Sequence, residues 1–239
     1  MGLISRMRED IQTVFERDPA ARSSLEIVLT YPGLHAIWFH RVAHWLWNHH
    51  LKLIARLVSH LSRFLTGVEI HPGAKIGRRL FIDHGMGIVM GETTEIGDDV
   101  LIYQGVTLGG TSLKKEKRHP TIEDHVMVSA GASVIGPVRI GRGSRIGAGA
   151  VVVSSAPPYS TIVGIPGKVI EGQSARQDVA ELEHGKLPDP VARAINNLVE
   201  KLNRLGVRME EIEERQDCLE DKVSEHHPPD RTAEVAKQR

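Results

Sequence analysis

Between residues 68 and 170 aliphatic residues return every six positions. Ile70, Ile76, Ile82 and Ile88 form one run, and after a two-residue shift Ile96, Ile102 and Leu108 form a second. Ile122, Val128, Val134, Ile140, Ile146 and Val152 form a third. A six-residue period suits neither a helix, with about 3.6 residues per turn, nor a free-standing strand, with about two. It suits a chain that turns a corner every six residues and points one aliphatic side chain per side inward. Gly follows many members of the series, as in Ile76-Gly77, Ile96-Gly97, Leu108-Gly109, Ile140-Gly141 and Ile146-Gly147, and relieves the corners. Three such sides close one turn of a triangular coil, and stacked coils pair as parallel ladders. Between Leu108 and Ile122 lie 13 residues where an unbroken repeat needs five or eleven, so the charged stretch Gly109–Thr121 leaves the coil as a loop. Loops that leave a rigid scaffold are common seats of chemistry.

The flanks follow other periods. Residues 3 to about 65 read as helical, beginning with Ile4, Met7, Ile11, Val14 and Phe15 at helical spacing and broken at Asp18-Pro19. A second helix is expected from Ser23 or Ser24, either of which can cap it, to just before Tyr31-Pro32-Gly33. Leu34–Leu46 and Leu51–Leu65 supply two more amphipathic stretches. Toward the other end, Val191, Ile195, Leu198, Leu202, Leu205, Met209 and Ile212 alternate spacings of four and three, and the series resumes after Gln216 at Leu219 and Val223. That is a heptad pattern, with charged flanks at Glu200, Lys201, Arg204, Glu210 and Glu211 that favour self-association. A single amphipathic helix packed on its own domain is the alternative. The polar tail 224–239, with Pro228-Pro229, is expected to be disordered. The expected organisation is α+β: a helical domain over 1–66, a repeat coil over 67–172, a coiled-coil helix over 189–223, and the tail.

Composition narrows the function classes. Lys plus Arg equals Asp plus Glu at 30 each, so no global field favours nucleic acid or a membrane surface. Cys218 is the sole cysteine, which excludes an intrachain disulfide and argues against a cysteine zinc site. MGLISRMRED lacks the apolar core of a signal peptide, and no run reaches the length of a membrane span. A soluble cytoplasmic protein is expected. Neither a dinucleotide-binding glycine fingerprint nor a phosphate-cradling Gly-x-x-x-x-Gly-Lys-Ser/Thr loop is present.

The hexapeptide coil resembles the acyltransferases built on a left-handed parallel β-helix, and several segments narrow the resemblance to the serine acetyltransferases. These are Asp18-Pro19, Tyr31-Pro32-Gly33-Leu34-His35-Ala36 and His44-Trp45-Leu46-Trp47 in the helical region. In the coil they are Glu69–Gly77, Ile82-Asp83-His84-Gly85, Gly91-Glu92-Thr93, Val106–Thr111 and Arg118-His119-Pro120. The resemblance covers roughly residues 5 to 170. It implies transfer of acetyl from acetyl-CoA to the hydroxyl of L-serine, the first step of cysteine biosynthesis from serine. It also implies a homotrimer, with a dimer of trimers in members having a longer helical domain than this one. No permanently bound cofactor is expected.

The resemblance also assigns roles. His84 matches the family's catalytic histidine, and a histidine, with an intrinsic pKa near 6.5, suits the removal of a hydroxyl proton. Glu69, a little under one full coil earlier, is expected beside it to orient the imidazole, in a place where the family usually has Asp. Asp18 and Asp83 would hold the serine ammonium group. Arg118 and His119 on the ejected loop would hold its carboxylate, a task suited to the planar donor fork of Arg. Ala130 and Ala148, one coil apart, would line a shallow channel for the pantetheine arm, and Lys168 would meet the CoA phosphates. Cysteine, which differs from serine at one atom, is expected as a competitive inhibitor in the same pocket. Family C-termini often end in isoleucine and enter the active site of O-acetylserine sulfhydrylase. This chain ends Ala236-Lys237-Gln238-Arg239, which argues against that complex.

Three rival readings share these residues. A sugar or other small alcohol could be the acceptor, although a neutral sugar has no need of paired carboxylates. A zinc site of the carbonic-anhydrase kind on the same coil would draw on His84, His119 and His125. A scaffold that recruits partners through its heptads would leave Asp83-His84 without a task. His71, before a proline, can simply cap a turn, and His40 and His44 read as packing or surface residues because no Glu follows the first as in zinc proteases.

Overall fold

A computed structural model describes residues 2–170, 195–196, 198–212 and 215. Two compact units divide the chain, Met1–Pro188 and Asp189–Arg239. The first unit opens with four helices: α1 (Leu3–Arg17), α2 (Ser24–Thr30), α3 (Pro32–Asn48) and α4 (Lys52–Thr66). Ser23 caps α2, its hydroxyl accepting from the Glu26 amide at 3.2 Å. Pro32 does not merely separate α2 from α3. It occupies the first turn of α3, where a missing amide hydrogen costs nothing. Gly67, at φ 73°, closes α4 and turns the chain into the coil.

Strands β1 (Glu69–Ile70) to β15 (Lys168–Ile170) wind into three sheets, the faces of a left-handed triangular prism. The first face stacks β1, β4 (Val89–Met90), β7 (Thr107–Gly109), β10 (Ser133–Ile135) and β13 (Val151–Val152). The second stacks β2 (Lys75–Ile76), β5 (Glu95–Ile96), β8 (Thr121–Ile122) and β11 (Arg139–Ile140). The third stacks β3 (Phe81–Ile82), β6 (Leu101–Ile102), β9 (Met127–Val128), β12 (Arg145–Ile146), β14 (Thr161–Val163) and β15. Every pairing is parallel except β14 with β15. The aliphatic series fills the axis: Ile70, Ile82, Ile96, Ile102, Leu108, Ile122, Val128, Val134, Ile140, Ile146 and Val152 are all buried, with Ile76 packed partly buried against them.

Register locates the interruptions. Thr107 pairs with Ser133, and Ser133 with Val151. The first of these steps is eight positions longer than the second, and the ejected loop carries the difference. The two-residue shift lies one corner earlier than the periodicity suggests. Ile70 pairs with Met90 and Glu69 with Val89, two positions more than an unbroken coil, so the extra pair falls between β3 and β4, at Asp83-His84-Gly85. Ile88 is buried as well, but on a second inward ladder with Val68, Val106, Ala132 and Ala150, which is why a six-residue count runs through it.

A second apolar cluster fixes the helices to the third face. Val14, Ile27 and Leu34 pack on Phe81, Leu101 and Met127, with Tyr31, Trp38 and Tyr103 at its margin. Gly33 lets α3 approach closely, since a Cβ there would strike the backbone oxygen of Ile82. Asp10, 4% exposed, ties α1 to α3 by accepting from both guanidinium nitrogens of Arg41 (2.5 and 2.8 Å) and from Trp38 Nε1 (3.0 Å). On α4, Leu53, Leu57, Leu61 and Phe64 face outward and are exposed.

In the second unit, residues 198–212 are helical, and the expected heptad members among the described residues are exposed. Val191, Gln216, Leu219, Val223, Cys218 and the tail lie outside the described residues. Among the described residues no helix is long and apolar enough to cross a membrane.

Candidate active site

The candidate residues gather on two edges of the prism. Residues 83–88 join the third face to the first, and this edge carries Asp83 and His84. The same edge carries Ala130 and Ala148, between β9 and β10 and between β12 and β13. The loop residues Arg118 and His119 lie where the first face meets the second, between β7 and β8. A single chain therefore separates His84 from Arg118 and His119.

At the third–first edge, His84 adopts φ 57°, a left-handed conformation in which histidine is among the better tolerated side chains. The two inserted residues push it out of the coil: its side chain is 73% exposed, with Nε2 3.8 Å from the Asp83 carboxylate. Asp18, the C-cap of α1, reaches the neighbourhood from the helices. Its Oδ1 accepts from the Ala20 amide at 2.8 Å, and its Oδ2 accepts from the Tyr31 hydroxyl at 2.7 Å. Burial pushes the Tyr31 phenol up to about 12, reinforced by the hydrogen bond to Asp18 and by the charges of Asp18, Glu26 and Asp83. Burial and the charge of Asp83 likewise push Tyr103 up to about 12. Tyr31 thus feels the charges of both Asp18 and Asp83, Tyr103 feels that of Asp83, and both phenols stay protonated. Sequence reasoning gives neither tyrosine a role. The coil register could have found Tyr103, which follows Ile102 and so stands directly above Asp83.

Among the described residues no hydrogen bond joins Glu69 to His84. Glu69 lies on β1 with its carboxylate held by Arg63 of α4 at 2.9 Å.

At the first–second edge the loop is pinned back on the preceding coil. Arg118 Nη2 donates to Glu92 at 2.6 Å, and Lys117 Nζ donates to the Thr93 carbonyl at 2.6 Å. His119 is 8% exposed, and Gly91 makes room for it, because a Cβ at Gly91 would come within 1.9 Å of the imidazole Cδ2. Its Nδ1 accepts from the Thr93 amide at 3.2 Å and lies 2.9 Å from Thr93 Oγ1, which itself accepts from the amides of Arg118 and His119. That pattern leaves the proton of the neutral ring on Nε2. Burial lowers the His119 pKa, helped by the Arg118 charge, which keeps the ring neutral. His71, on the same edge, accepts from the Gly73 amide at 3.0 Å and packs its ring on Trp47. Burial, with Arg56, pushes it down to about 4.

Ala130 is half-buried and Ala148 exposed, so small side chains stand one coil apart on the edge that bears His84. Their coils are adjacent, the Gly149 amide donating to the Ala130 carbonyl at 2.9 Å. Lys168 is exposed on β15, just past that edge. His84, His119 and His125 lie on three different edges, and among the described residues no group of three His, Cys, Asp or Glu side chains is arranged to hold a metal.

Known proteins resemble this chain in sequence and in fold. The N-terminal model of serine acetyltransferases matches residues 2–38, and the bacterial transferase hexapeptide model matches residues 119–154. The serine acetyltransferase of Bacillus subtilis is 54% identical over 211 residues, 87% of this chain and 96% of that protein. Among solved structures, the serine acetyltransferase of Neisseria gonorrhoeae in complex with serine aligns with a TM-score of 0.67 at 41% identity, covering 70% of this chain and 69% of that one. A serine acetyltransferase in complex with CoA aligns at 0.66 and 41% identity, covering 70% and 69%. Another in complex with cysteine aligns at 0.72 and 39%, covering 75% and 70%. With this level of identity over nearly the whole length of a relative, the chain belongs to the serine acetyltransferase family.

Proposed function

We propose that this chain transfers the acetyl group of acetyl-CoA to the hydroxyl of L-serine, with His84 as general base, in a site completed by a second copy of the chain. The observation that carries the reading is the convergence of Asp18 and Asp83 beside an exposed His84. Two carboxylates suit an ammonium group and have no purpose for a neutral sugar.

The imidazole of His84 takes the serine hydroxyl proton as the oxygen attacks the thioester carbonyl. The C–S bond then breaks, and the imidazolium returns the proton to the departing sulfur, giving O-acetyl-L-serine and CoA. Such a base contributes about 10²- to 10⁴-fold in rate. Asp83, 3.8 Å from Nε2, stabilises the imidazolium, and Glu69 would orient the ring.

The serine carboxylate would meet Arg118 and His119 Nε2–H. Since those residues stand on the other edge, a neighbouring copy would supply them, as in a homotrimer. The outward apolar side of α4 (Leu53, Leu57, Leu61, Phe64) supports association. Glu92 competes for Arg118, so carboxylate binding would exchange one ion pair for another. The pantetheine arm would run past Ala130 and Ala148 toward Lys168, and cysteine would occupy the serine site.

Thiol release from acetyl-CoA tests the assignment. Wild type should release CoA only when L-serine is present, and His84→Ala should be at least a hundredfold slower. Absence of serine-dependent release from folded protein would overturn the acceptor, and near-normal turnover by His84→Ala would remove His84 as base.

A further inference from the structure

The column of side chains that contains Ala148 and Ala130 ends at Met86. Backbone hydrogen bonds define it: the Gly149 amide donates to Ala130, the Gly131 amide to Gln104 and the Gly105 amide to Met86, each at 2.9 Å. Ala148, Ala130, Gln104 and Met86 therefore stand on successive coils, about 4.8 Å apart. His84 precedes Met86 by two residues on the same corner. Gln104 is half-buried and turns its side-chain oxygen out of solvent. Met86 is 68% exposed and is the first long apolar side chain met along the column.

The fold fixes where this side chain stands. Gly85 and Gly87 flank it at φ 83° and 77°, and a Cβ on Gly85 would come within 2.8 Å of Val68 Cγ2. The thioether lies over Gly67, where a Cβ would be 2.5 Å from Met86 Sδ and 2.9 Å from Cε. Gly67 closes α4, so Met86 rests against the turn that joins the helices to the coil.

We propose that Met86 sets the length of the acyl group, favouring acetyl over longer chains. The proposal rests on the acetyl-transfer reading above for the direction of the pantetheine arm. An arm that passes Ala148 and Ala130 toward His84 brings the thioester carbon to the imidazole and points the acyl chain at Met86. Acetyl ends there in one methyl group, and each further methylene needs the space of the thioether. A methionine side chain is adaptable and yields in part, so the preference is graded, about tenfold for one methylene.

CoA release with L-serine from acetyl-, propionyl- and butyryl-CoA tests this in the full-length protein. Wild type should prefer acetyl-CoA to propionyl-CoA by about tenfold in kcat/KM, and Met86→Ala should bring the two close to equal. Met86→Leu, of similar volume, should keep the wild-type ratio. Because Met86 is exposed, both variants should melt as wild type does. An unchanged ratio in Met86→Ala would overturn the proposal, as would an equal loss of preference in Met86→Leu. Calorimetric titration with acetyl-CoA and butyryl-CoA, without serine, separates this proposal from the choice of acceptor. With no serine-dependent release from wild type, a gain in relative affinity for butyryl-CoA in Met86→Ala removes the acceptor and keeps the length stop. Serine-dependent release with the same acyl preference in wild type and Met86→Ala removes only the length stop.

Discussion

Two edges of the prism turn through the same backbone conformation and fill it in opposite ways. Two residues before each strand of the third face, at the second–third edge, φ is positive at Arg79 (54°), Asp99 (62°), His125 (57°), Gly143 (68°) and Tyr159 (60°). At the equivalent place on the third–first edge stand Gly87 (77°), Gly105 (71°), Gly131 (69°) and Gly149 (67°). Crowding does not explain the glycines, since a Cβ on Gly131 or Gly149 would meet nothing within 4 Å. Nor does φ alone, because four side chains bear the same angle on the other edge. The difference lies in use. Side chains of the second–third edge fasten α1 to the coil: Arg78 pairs with Glu9, and Asp99 holds both Arg79 and Arg17, the latter at 3.2 Å. The third–first edge, which carries His84, keeps a column of bare backbone that a long thin ligand can approach closely.

The largest expected effect strikes the fastening edge. Asp99 is 9% exposed, and Asp99→Ala leaves Arg17, whose pKa burial already lowers, without its anion. Urea denaturation should show a loss of about 3 kcal/mol. Because Arg17 immediately precedes Asp18, the KM for serine should rise in the folded variant. A stability loss below about 1 kcal/mol would mean that α1 is held by its apolar contacts alone.

A reciprocal exchange sharpens the contrast. Gly131→Asn retains a residue that tolerates left-handed φ but adds bulk to the open edge, and should raise the KM for acetyl-CoA about tenfold, roughly 1.4 kcal/mol. His125→Gly, at the same place on the other edge, should leave both KM values within about twofold. Equal effects would show that the two edges do not differ in function.

The remaining edge should respond to pH. His40, buried beside the Ala74 backbone, is pushed down to about 3, chiefly by burial, and His71 to about 4. Both folded pKa values lie below the ordinary 6.5, so below that pH the unfolded chain binds protons that the folded chain refuses. Stability should therefore be complete above about pH 6.5 and fall as pH drops toward 4, by up to about 1.4 kcal/mol per unit for each histidine. Melting temperature against pH for wild type and His40→Gln should show a shallower decline in the variant.

The axis of the coil is legible because one aliphatic side chain per side leaves a period that nothing else produces. Ile122 to Val152 can be counted without error. The corner at Asp83–His84 is misplaced by one side in such a count because Ile88 also points inward, and only strand pairing separates the two inward ladders. The candidate carboxylates Asp18 and Asp83 can be named from local motifs. Tyr31 and the Arg17–Asp99 pair cannot, because each depends on how helices distant in sequence dock on the third face.

A stack of identical rungs has no natural last rung, and its final strand presents unpaired amides to any passing chain. Here β15 reverses direction and pairs antiparallel with β14, while the Gly167 amide takes the Val151 carbonyl at 2.7 Å. That short reversal is a stop signal written in hydrogen bonds. It covers the outer edge of β14, so the parallel ladder of the third face ends there.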